Sequence, residues 1–161
     1  MKKVLSFFLV LALALGMTAC GSGGGKDAAE TPDLQAYYDD LMTSLGDNAP
    51  MMMEVTDDLV ESMYPGLSSY TFNQKVLQTA AISAVAFEMA LVEVADEADV
   101  EAVKGIFQSR IDSQVEGGAM YPATIEAWQN AEVIVNGNVV ALIAAGESQT
   151  EAVDAFNALF Q

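Results

Sequence analysis

The sequence predicts an α+β fold: a three- or four-stranded antiparallel sheet with helices packed on one face, preceded by N-terminal helices. Three observations carry this expectation. Residues 83–94 alternate, with Val85, Phe87, Met89 and Leu91 set between Ala84, Ala86, Glu88 and Ala90, which is the period of a strand. In AEVIVNGNVVALIAA, residues 131–145, Asn136-Gly137 separates two apolar β-branched runs, the pattern of a hairpin whose type I′ turn needs positive φ at both central residues. Val100, Val103, Phe107 and Ile111 recur at helical spacing, with Ile106 beside them, so one helical stripe is buried.

In chain order, Asp33 precedes Leu34, Tyr37, Tyr38, Leu41 and Leu45, and Gly46 follows them. This predicts a capped helix over 34–45. After Asn48-Ala49-Pro50 and the run Met51-Met52-Met53, Thr56 opens a short helix that Pro65-Gly66 stops. Tyr70, Phe72 and Val76 alternate weakly over 69–78, as in an edge strand. Residues 83–94 follow as the central strand, with large side chains toward the core. Asp96, with Asp99 three residues on, caps the long helix, and Lys104 and Arg110 suit its negative end. Gly105 in mid-helix points to close packing there, and Gly117-Gly118 ends the helix. Tyr121-Pro122 begins a short helix with Ile125 and Trp128, and the hairpin comes next. Ser148 and Glu151 form a capping box before a last helix carrying Val153, Phe156, Leu159 and Phe160.

The first 20 residues set the expected location. Lys2 and Lys3 precede an apolar run over 4–15, then Met17-Thr18-Ala19-Cys20. This twelve-residue run matches a signal-peptide h-region and falls short of the about 20 apolar residues a spanning helix needs. The ending resembles the bacterial lipobox, with Met17 in place of its usual Leu. That resemblance implies cleavage after residue 19 and a diacylglycerol thioether at Cys20, with N-acylation (palmitate and similar chains) in many species. Two or more chains hold a protein stably in a bilayer. The competing reading is an ordinary secretory signal, but Cys20 is the sole cysteine, and a lone thiol in an exported protein needs a use. The expected organisation is a lipoprotein signal peptide at 1–19, lipidated Cys20 with a Gly/Ser linker at 20–32, and one acidic domain at 33–161. The linker GSGGGKDAAETP reaches about 20 Å, which keeps that domain near the membrane.

Composition excludes several functions. The 161 residues carry a net charge of −17, and removing residues 1–19 takes Lys2 and Lys3 but no acid, leaving −19. Such a chain lacks the clustered cations that nucleic acid requires, and it is repelled by anionic lipid. No histidine is present and the one cysteine is spoken for, which removes Ser-His-Asp and Cys-His catalysis, His-ligated zinc and intrachain disulfides. No cofactor is implied. Asp96 and Asp99 have the wrong spacing for a calcium loop. Met51-Met52-Met53 reads as adaptable packing or a docking patch before copper(I) ligation. Tyr37, Tyr38, Tyr121 and Trp128 read as packing before stacking on sugars.

Glu88 is the candidate functional residue, a carboxylate among Phe87, Met89 and Leu91 on the central strand. It must reach solvent, pair with a cation or carry a raised pKa. Because Ala86 and Ala90 share its side, the competing expectation is a solvated face. A glycosidase would need a second carboxylate about 5–10 Å away, and Glu93 falls on the opposite face.

The stretch EMALVEVADEADVEAVK from Glu88, the Tyr121-Pro122 segment, NAEVIVNGNVVALIA and the closing amphipathic helix together resemble the lipoproteins of Firmicutes that carry domain of unknown function 4358. In that family a Glu opens an apolar strand, an acidic turn leads into a helix and a Gly-Asn hairpin follows. Glu88, Asp96, Tyr121, Gly137 and Asn138 stand in those places, and the resemblance spans residues 34–160. It implies a lipoprotein and supplies no activity. The function expected from the sequence is therefore a lipid-anchored extracytoplasmic domain that binds a protein or ligand at the cell envelope. The alternative is a carboxylate-dependent envelope hydrolase. The expected partners are the membrane through Cys20 and an envelope protein, with no nucleic acid.

Overall fold

A computed structural model describes residues 31–161, which form one compact unit from Thr31 to Gln161. Its helices are α1 (Leu34–Leu45), α2 (Asp57–Met63), α3 (Val100–Ser113), α4 (Pro122–Gln129) and α5 (Gln149–Ala158). Its strands are β1 (Met52–Glu54), β2 (Phe72–Ala80), β3 (Glu88–Val94), β4 (Glu132–Asn136) and β5 (Val139–Ala144). The strands form one antiparallel sheet in the order β1-β2-β3-β5-β4.

Five strands replace the expected three or four. The additional one is β1, built from the methionine run and paired through Met52↔Ala80 and Glu54↔Gln78. Three residues are too few for alternation to register. β1 also covers the outer side of β2, so β2 is an interior strand and not an edge.

The helices lie on both faces, which corrects the expectation of one. Ala90, Val92 and Val94 of β3 and Val140, Leu142 and Ala144 of β5 pack with Val103 and Phe107 of α3, Val60 of α2 and Trp128 of α4. The alternate residues, Met89, Leu91, Val139, Ala141 and Ile143, pack with Leu34, Tyr37 and Leu41 of α1 and Phe156 of α5. Successive strand residues point to opposite faces, so two cores sandwich the sheet. β5 is accordingly buried at every position, and the unbroken apolar run VVALIA is what a two-sided strand needs.

Local details differ from expectation in four places. β3 starts at Glu88, and the chain from 81 to 87 turns instead of extending the strand. The hairpin pairs Asn136 with Val139, so its turn is Gly137-Asn138, one residue later than expected. Gly137 takes φ +57°, while the Asn138 amide donates to the Val94 carbonyl and the Val94 N–H donates to Asn138 O. The register thus follows the anchoring of Asn138 to β3. Ser148 makes no side-chain cap. Gln149 instead accepts from Ala145 N–H and donates to Ile143 O, and Glu151 accepts from Ser44. Asp33 does cap α1, accepting from the N–H groups of Gln35 and Ala36, and Asp96 accepts from Ala98 N–H.

The fourth difference concerns Gly105. A Cβ built there meets nothing within 4 Å, so close packing is not its reason. We predict that Gly105→Ala stabilises the protein by about 1 kcal/mol in urea unfolding, the helix-propensity difference. Gly137→Ala has open space too, yet it destabilises, because its positive φ strains any side chain.

Candidate functional site

Glu88 opens β3, the middle strand of the sheet. It faces the side covered by α2, α3 and α4, next to Ala90, and its small neighbour leaves room for a long partner. The residue is 0% exposed, so its face is not solvated. Both carboxylate oxygens are occupied. Arg110 of α3 donates from Nε to Oε1 at 2.9 Å and from Nη2 to Oε2 at 2.7 Å, a two-point fork that matches the planar carboxylate. The Tyr64 hydroxyl donates to Oε1 at 2.8 Å, and the Thr79 hydroxyl on β2 donates to Oε2 at 3.2 Å. Four donors on two oxygens fill the acceptor capacity of the group.

The cation is held as closely. The Arg110 guanidinium carbon lies 5.5 Å from the Trp128 ring centre and 6.0 Å from that of Tyr64, within cation–π range. Tyr64 meets Phe107 edge-on at 5.6 Å. One arginine therefore ties β3 to α3, to α4 through Trp128, and to the end of α2 through Tyr64. Its side chain remains 15% exposed, against 1% for Glu88.

Burial alone would lower the Arg110 pKa, but the hydrogen bond and charge of Glu88 and the neighbouring Tyr64 reverse this and raise it. The Tyr64 hydroxyl is pushed well above the ordinary phenol range, by burial first, then by the charge and hydrogen bond of Glu88, with Arg110 opposing. Tyr64 thus stays a proton donor to the carboxylate.

A second polar cluster lies on the opposite face, at the other end of β3. Glu93 accepts from the Thr31 hydroxyl at 2.8 Å and from the Gln74 amide at 3.1 Å. Gln74 also donates to Pro32 O and accepts from Leu34 N–H. Burial raises the Glu93 pKa, but these hydrogen bonds outweigh it and the net shift is downward. The cluster fixes where the chain enters the unit.

The other predicted residues divide as follows. Cys20, the expected lipidation site, lies outside the described residues. Tyr37 and Trp128 are buried, and the Tyr37 hydroxyl donates to Ala152 O, whereas Tyr121 is exposed. Among the described residues, no group of three or more His, Cys, Asp or Glu is placed to hold a metal ion. No helix there is long and apolar enough to cross a membrane. Sequence reading missed the Arg110–Glu88 pair. The signal for it was present: Arg110 is the sole arginine of the chain, and it lies beside the buried stripe of α3.

The family described as Domain of unknown function (DUF4358) matches residues 44–145. No curated protein and no solved structure matches the chain.

Removing one member of a buried pair leaves the other charge desolvated and unpaired. We predict that Arg110→Met costs about 3 kcal/mol in urea unfolding at neutral pH. The double variant Glu88→Met/Arg110→Met recovers most of that loss, though not all of it, since the Tyr64 hydroxyl then lacks its acceptor.

Proposed function

The chain belongs to the DUF4358 family, and from that premise we propose that it is a Firmicutes lipoprotein, anchored to the outer side of the cell membrane through lipid on Cys20. Its domain binds a protein or ligand at the envelope. The observation that carries the reading is the N-terminal sequence: Lys2-Lys3, the apolar residues 4–15, and Thr18-Ala19 before the sole cysteine. The sequence after Cys20, GSGGGKDAAETP to residue 32, is a glycine-rich linker composition. The charge of the mature chain is repelled by anionic headgroups, so acyl chains do the anchoring.

Binding is favoured over the hydrolase alternative by the state of Glu88. A general acid or nucleophile must offer an oxygen to its substrate. The oxygens of Glu88 instead hold Arg110, Tyr64 and Thr79 together inside a packed layer. Glu93, the nearest acid along the strand, faces the other side and holds the Thr31–Gln74 cluster.

Fatty-acid labelling in cells tests the anchor. Wild type incorporates the label and sediments with membranes; Cys20→Ser incorporates none and leaves the membrane fraction. Equal labelling or equal membrane retention of the two would overturn the reading.

A further inference from the structure

One end of the unit differs from the rest in chemistry. The stretches 48–53, 79–87 and 117–125 contain no Asp, Glu, Lys or Arg, in a chain with 23 acidic residues. The fold brings all three together. Ala81 N–H donates to Met51 O, and the Thr124 hydroxyl donates to Ala84 O at 2.8 Å. They border a groove of about 610 Å³ lined by Pro50, Val85 and Phe87 together with the polar side chains of Asn48, Thr124 and Ser148, and its one charged lining residue is Glu147. Around it stand large apolar side chains in water: Met120 is 79% exposed, Met51 74%, Ile82 60%, Tyr121 56% and Val85 41%. Of these, Val85 lines the groove and the others stand on the three charge-free segments that border it, and such a concentration of exposed apolar side chains beside a groove marks an interaction surface. Methionines at its rim can adapt to a partner.

We propose that this groove docks an apolar segment of another envelope protein, one free of acidic residues and carrying a basic side chain opposite Glu147. Charge complementarity selects that occupant. The groove itself is neutral apart from Glu147, and the surrounding domain, with its large excess of acids, repels an acidic flank and attracts a basic one.

Charge selects a protein over the bilayer, and this step rests on the anchored reading above: the domain's excess of acids is repelled by anionic lipid. The chain enters the unit at Thr31, held to Glu93 and Gln74. Gln74↔Glu93 and Thr79↔Glu88 mark opposite ends of the β2–β3 ladder, about 16 Å apart at the strand rise. The groove is at the Thr79↔Glu88 end, where Ala80 N–H bonds to Phe87 O. Thr31 thus lies at one end of the sheet and the groove opens at the other.

The test is photocrosslinking in cells with the full-length lipidated protein. A photoreactive phenylalanine analogue replaces Val85 or Met120, and Asp39 or Gln108, both exposed elsewhere, as controls. The expected result is a crosslink from positions 85 and 120 only, to a protein segment that is apolar, lacks acids and has a basic residue. Adding Ile82→Asp is expected to reduce that crosslink at least tenfold with no change in thermal unfolding of the purified protein. Crosslinks to lipid, to a second copy of this chain or to an acidic segment would each overturn the proposal, as would no difference from the controls. Loss of anchoring shows separately: if Cys20→Ser stays labelled, the anchor reading fails whatever positions 85 and 120 capture.

Discussion

The fold turns on one buried ion pair. Glu88 sits at the start of the central strand, and Arg110 reaches it from α3 with two parallel hydrogen bonds. Removing a carboxylate from water is costly unless its lone pairs are filled. Here Tyr64 and Thr79 fill what the arginine leaves, and Trp128 and Tyr64 flank the guanidinium. The result is a joint among β2, β3, α2, α3 and α4, the elements that enclose one of the two cores. A pair of this kind adds little net stability over a well-packed apolar equivalent. The fork links α3 to β3, and Trp128 brings α4 against the same guanidinium. The chain commits its sole arginine to this joint.

Burial on both faces of the sheet has a consequence for the surface. β3 and β5 spend almost every side chain on the two cores, so the excess negative charge falls on helix exteriors, turns and edges. That charge keeps the domain soluble by self-repulsion. Against it, the neutral end around Pro50, Val85 and Met120 is a marked departure in chemistry. The long-range order of the fold makes this end, because its three segments are far apart in sequence and meet through the Ala81–Met51 and Thr124–Ala84 hydrogen bonds.

Much of the element content was legible in the sequence. The stripe Val100, Val103, Phe107, Ile111, the Asp33 cap and the hairpin all announce themselves through local periodicity or turn chemistry. What escaped were properties set by distant contacts. Alternation of large and small residues in β3 predicts one buried face and one open face, yet Ala90 on the small-residue face is fully buried in the core that α2, α3 and α4 help to close. The Met run gives no period to distinguish a three-residue strand. Ser148-x-x-Glu151 has the form of a capping box, but the Gln149 amide reaches the strand end first. Glu88 was legible as a carboxylate needing a partner; which cation it meets is decided by the packing of α3 on β5 and β4, from which Arg110 reaches across to β3, a tertiary fact. The groove was invisible, although the absence of charge in its three segments could be counted.

The Glu88 carboxylate is wholly engaged in an internal clamp. Nitrogen-15 NMR of the guanidinium tests this directly, since one arginine gives one unambiguous set of signals. At neutral pH the Arg110 Nε–H is expected to be protected from solvent exchange and the Nη signals to be separate, because the fork blocks rotation. A rapidly exchanging Nε–H with a single averaged Nη signal would contradict it and would return Glu88 to the residues free to meet a substrate.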